Sequence, residues 1–131
     1  MKNEIQNYVD EMVADRRHLH QNPEEGWYEF ETTAFVADRL EKLGFEVLLG
    51  TQVINPEAVM GRNEEGAKKA MERAKANGIS DAFLEKCEGY TGCVGVWDTK
   101  RPGPVTALRF DIDCMVIAET DDPNHLSLIH I

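Results

Sequence analysis

Hydrophobic spacing changes period along this chain, from helical stripes to short β-branched runs and back. The change restricts the fold to a mixture of helices and strands. Ile5, Tyr8, Val9, Met12, Val13 and Leu19 recur at helical spacing, with Asp10, Glu11, Asp15 and Arg16 between them, which predicts an amphipathic first helix. It should stop before Pro23, whose ring removes a backbone donor and drives Asn22 out of the helical region. A second helix is expected over about residues 28–43, on an apolar side made by Phe30, Ala34, Val36, Ala37, Leu40 and Leu43, with Gly44 to end it.

Residues 45–49, Phe-Glu-Val-Leu-Leu, then read as a first strand closed by Gly50. Ala67, Ala70, Met71 and Ala74 form one stripe in residues 63–77, a third helix stopped at Asn77-Gly78. Ser80 is placed to cap a shorter helix through about Lys86, so these two segments make a helical hairpin. Residues 93–97 and 105–112 both read as strands, separated by turn residues 98–104, and are expected to pair antiparallel with each other. Neither a repeat nor a low-complexity linker divides these segments, which argues for one mixed α/β domain.

Charge narrows the function classes. Acidic residues number 24 against 14 basic ones, a formal net charge of -10, and such a field repels phosphate backbones and anionic membranes. Nucleic acid and membrane are therefore poor partners. No apolar run reaches the length of a bilayer span and none follows the first lysine, so the cytoplasm is the expected location. Cys87, Cys93 and Cys114 lack the close pairing of a structural zinc site and read as reduced, small apolar residues.

Two stretches hold groups suited to chemistry. Arg16 to Glu24 crowds cations, His18, His20 and a carboxylate around a helix end. On a helix, however, side chains two apart point to nearly opposite faces and do not grip one ion, so a hydrogen-bonded corner is the better reading. In the second, the apolar residues of 105–112 run into Asp111 and Asp113. A carboxylate at a strand end can bind a metal or orient a ligand's imidazole, or it can simply cap the next turn in solvent. Glu119, Asp121 and Asp122 form a further acidic cluster without a histidine pair beside it, which reads as a solvated loop.

The run Arg17-His18-Leu19-His20-Gln21-Asn22-Pro23-Glu24, with Glu29 and Thr32 after it, resembles the opening motif of metal-dependent aminoacylases and amino-acid-conjugate hydrolases. Leu108-Arg109-Phe110-Asp111-Ile112-Asp113 resembles the second motif of that superfamily. Asp121-Asp122-Pro123-Asn124-His125 and the stretch from Asn55 to Gly92 are similar to its aminobenzoyl-glutamate hydrolase branch, and the likeness runs from about residue 5 to residue 126.

The resemblance implies an amidohydrolase acting on a small N-acyl amino acid. Its fold would be the amino-terminal part of a three-layer, zinc-peptidase-like α/β catalytic domain with a mixed central sheet. Zinc or manganese would serve the intact enzyme, itself a homo- or hetero-oligomer. Residues 1–126 would form a partial catalytic domain with a hairpin insertion at about 57–90, and 127–131 a non-native tail in which His130 has no ligand role. The superfamily's later His-Ala-Cys-Gly-His-Asp type run is missing, as are its glutamate pair and distant histidines. No metal ligand is therefore assigned here, and the fragment is expected to bind no metal and to be inactive. Asp111 matches the position of a metal-binding histidine in related carboxypeptidases, but this branch normally carries aspartate there. Asp113 matches the aspartate that orients that ligand and is the one candidate catalytic-site residue, in a supporting role. The rivals are a non-catalytic binding or subunit module on the same fold, and a hydrolase of other N-acyl amino acids or peptides.

Overall fold

The computed structural model describes Ile5 and residues 8–115. Glu24–Cys114 form one compact unit, and the first helix belongs to a second. That helix, α1 (Val9–Gln21), ends two residues before Pro23, with the Asn22 N–H and side-chain amide both donating to the His18 carbonyl. His18 and His20 lie in its last turn.

Within the larger unit the order is α2 (Phe30–Lys42), β1 (Glu46–Leu48), α3 (Glu64–Ala76), α4 (Asp81–Cys87) and β2 (Val94–Val96), with 3-10 turns at Gly50–Gln52 and Pro56–Ala58. Local chemistry sets these limits. Asn63 caps α3 by accepting from the Gly66 N–H, and Ser80 caps α4 by accepting from the Phe83 N–H. Gly44, at φ 89°, takes the left-handed conformation that releases the chain from α2 into β1. Ala67, Ala70 and Ala74 are buried on α3, as their spacing requires. The core gathers Phe30, Leu49, Ala70, Ala74, Leu84 and Cys87, with Tyr28, Val47, Met71, Ile79, Phe83 and Cys93 packed against them. Small alanines on α3 let it approach α2 closely, and α4 packs on the 3-10 turn after β1.

The strand expectation at 105–112 is corrected by the structure. β2 pairs antiparallel with β1, in the register Glu46–Val96, Val47–Gly95 and Leu48–Val94, rather than with the following segment. Residues 104–113 have no regular secondary structure, and Val105, Leu108 and Phe110 are strongly exposed. A β-compatible sequence becomes a strand only when a neighbour takes its backbone donors and acceptors, and none of the described residues does so here. The one ladder contact of this stretch is a parallel bridge between Glu25 and Cys114. Among the described residues the sheet is therefore a two-stranded antiparallel one in an α/β arrangement. No helix among them is long and apolar enough to cross a membrane.

Candidate functional site

The loop from Glu24 to Glu29 and the segment ending at Cys114 meet at the start of α2, which brings the sequence's carboxylates together. The Cys114 N–H donates to the Glu24 carbonyl at 2.8 Å, extending the bridge to Glu25. This places the Asp113 carboxylate over Gly26: a β-carbon added at Gly26 would lie 3.7 Å from Asp113 Oδ2. Asp113 is exposed on this edge. Asp111 pairs instead with Arg109 two residues earlier, its two carboxylate oxygens at 2.8 and 2.6 Å from the guanidinium.

Beneath the edge, Glu24 is buried and its carboxylate caps α2 from outside the helix. It accepts the Thr32 N–H at 2.7 Å and, more weakly, the Glu31 N–H at 3.4 Å. The first amides of a helix lack internal partners and carry the positive end of the helix dipole, so an anion is well matched there. Arg73 of α3 supplies the countercharge, pairing with Glu24 and, at 2.9 Å, with Glu31, whose other oxygen accepts from Asn77. Its Nη2 also donates to the Tyr28 carbonyl at 3.2 Å. One guanidinium thus ties the hairpin to the start of α2.

Glu29 is the second buried carboxylate. Thr91, itself buried, donates its hydroxyl to Glu29 Oε2 at 2.5 Å, and the Gly92 N–H donates to Thr33 Oγ1 at 2.8 Å, strapping the loop after α4 onto α2. Burial raises the Glu29 pKa above the ordinary carboxylate range. The Thr91 hydroxyl opposes that rise, while the nearby negative charges of Asp113 and Glu24 add to it. Cys87, fully buried in the core, is pushed up to about 11 by burial and by Cys93, so it is no ready nucleophile.

Glu24, Glu29 and Thr32, three positions of the opening motif, are thereby given structural duties: cap, strap and the capped amide. Arg73, the residue that completes the arrangement, carried no signal in its own helix beyond a basic side chain on the polar face. The structure brings Asp113 to within electrostatic reach of Glu29 and leaves His18 and His20 on α1. Among the described residues no group of three or more His, Cys, Asp or Glu side chains is placed to hold a metal ion. Glu119, Asp121, Asp122, His125 and the 127–131 segment lie outside the described residues.

No family model matches the chain. Individual proteins do, and as a class they are hydrolases and carboxypeptidases. An indole-3-acetyl-aspartic acid hydrolase of Enterobacter agglomerans is 37% identical over 92% of this chain and 28% of its own length. Thermostable carboxypeptidases of Saccharolobus solfataricus also match. Within that class a p-aminobenzoyl-glutamate hydrolase subunit homolog of Haemophilus influenzae is 48% identical over 119 residues, 90% of this chain and 28% of that protein. The crystal structure of the aminobenzoyl-glutamate utilization protein from Klebsiella pneumoniae superposes with a TM-score of 0.81 at 38% identity, covering 87% of this chain and 29% of that one. The chain is a homologue of the p-aminobenzoyl-glutamate hydrolase proteins and of carboxypeptidases, and spans little more than a quarter of the length of the first of these relatives.

Proposed function

We propose that this chain is the amino-terminal segment of a metal-dependent amidohydrolase that cleaves the amide bond of aminobenzoyl-glutamate. The observation that carries this reading is the 48% identity across nine-tenths of the chain, joined to a fold match at 38% identity. In the full enzyme the α/β layers described above would be one side of a three-layer catalytic domain, completed when further strands join the open edges. Zinc or manganese is the metal we assign to that enzyme. The described residues of this chain do not form a site for it.

What these residues supply is support. Glu24 and Arg73 hold the start of α2, Glu29 and Thr91 hold the loop above it, and Asp113 is presented on the exposed edge that the two create. We assign Asp113 a positioning role at the site and no bond-making one. The 131-residue chain alone is expected to be inactive. The relatives' designation as hydrolase subunits supports oligomeric assembly of the longer protein.

A second reading is a hydrolase of other N-acyl amino acids, favoured by the 37% identity to the indole-3-acetyl-aspartic acid hydrolase. Release of p-aminobenzoate from aminobenzoyl-glutamate, compared with release of indole-3-acetate from its aspartate conjugate, separates the two in a chain extended to the relatives' length. Faster cleavage of the first supports the proposal, and faster cleavage of the second supports the alternative. Cleavage of neither, with metal supplied, would leave a non-catalytic module as the account of the fold.

A further inference from the structure

We infer that Trp27 is a specificity-determining residue whose indole is the platform on which the aromatic acyl group of the substrate stacks. The inference rests on the hydrolase reading above and adds to it the residue that selects an aromatic acyl part. Trp27 has φ 71°, the left-handed region that a bulky side chain rarely occupies. Gly26, immediately before it, could adopt that conformation without strain, yet it is absent from the glycines with positive φ. The loop therefore spends its unfavourable backbone geometry on the residue with the largest ring.

Among the described residues, Trp27 lies outside the core cluster. Trp27 is absent from both the buried cluster and the residues packed on it, whereas its neighbours Tyr28 and Phe30 belong to them. It is nonetheless fixed: the indole N–H donates to the Met60 carbonyl at 2.9 Å, across 33 residues of sequence, from a segment that otherwise leaves Met60 exposed. Trp27 is partly buried, and a β-carbon added at the adjoining Gly26 would lie 3.7 Å from the Asp113 carboxylate. A flat apolar surface of fixed orientation beside a polar group is what recognition of an aromatic ring requires, because stacking gains most where no side-chain freedom is lost on binding.

The test is titration of the 15N-labelled chain, following the two indole N–H signals, with the Trp27 signal assigned by its loss in Trp27→Phe. Aminobenzoyl-glutamate and indole-3-acetyl-aspartate are expected to shift the Trp27 signal saturably, and N-acetyl-glutamate, which lacks a ring, to bind at least about tenfold more weakly. Trp27→Gly, which relieves the strained φ, should fold and melt cooperatively yet bind the aromatic and aliphatic ligands alike, while Trp27→Phe should keep most of the preference. Equal affinities in the unaltered chain, or an aromatic preference that survives in Trp27→Gly, would overturn the inference. So would the absence of binding, and that result would leave the hydrolase reading standing or falling on cleavage by the longer chain.

Discussion

Replacing Glu24 with alanine removes the anchor from which α2 and α3 are held together, and its cost can be worked from the contacts. An exposed helix cap contributes about 1 kcal/mol. Here the capped amide belongs to Thr32, which is buried, so an orphaned N–H adds a desolvation penalty of about 1–3 kcal/mol. The 3.4 Å bond from Glu31 adds little. Arg73 also loses one partner, but its side chain is 46% exposed and keeps Glu31, so water compensates most of that loss. The sum is about 2–4 kcal/mol, which at a urea slope of about 2 kcal/mol per molar lowers the unfolding midpoint by about 1–2 M. Glu24→Gln retains an acceptor for the Thr32 amide and should lose only about 1 kcal/mol, through the missing charge. Urea titration followed by circular dichroism measures all three proteins. Glu24→Ala within about 0.5 kcal/mol of the unaltered chain would refute the cap, because surface substitutions alone fall in that range.

Other expectations use the same unit. Gly50→Ala should destabilise by about 2–4 kcal/mol: its φ of 56° disfavours any side chain, and an added β-carbon would sit 2.6 Å from the Lys86 carbonyl; thermal unfolding of the variant checks this. Glu29 has a folded-state pKa above its unfolded value, so the native state holds that proton more tightly. Its contribution is present below the unfolded value and is lost as pH rises through the elevated one. Glu29→Gln should flatten the fall in stability over that pH window, and an unchanged profile from urea titrations at several pH values would count against the buried carboxyl. Leu108 and Phe110 are 78% and 77% exposed on a β-compatible stretch, so the double replacement by lysine should reduce self-association seen by light scattering without lowering the unfolding midpoint.

Locally encoded features were legible in the sequence. The stripes of Phe30 to Leu40 and of Ala67 to Ala74 gave their helices to within about two residues, because burial of one face determines both. Asn63, Ser80 and Gly44 marked ends through side-chain or backbone chemistry that acts over a few residues. Residues 105–112 misled because alternation describes a strand's faces and says nothing about who supplies its hydrogen bonds; β2 found β1 instead. At the site, Asp113 stood out as a carboxylate after an apolar run, and Glu24, Glu29 and Thr32 through the opening motif. Their pairing with Arg73 and Thr91, 49 and 62 residues away in the chain, is a product of the tertiary fold and left no local trace.

Hydrolysis of aminobenzoyl-glutamate tests the central claim most directly, measured on this chain and on one extended to the relatives' length, each with zinc or manganese added. The account expects release of p-aminobenzoate and glutamate by the extended enzyme alone, with kcat/KM for this substrate above that for N-acetyl-glutamate. Turnover by the 131-residue chain, or none by the extended enzyme, would contradict it.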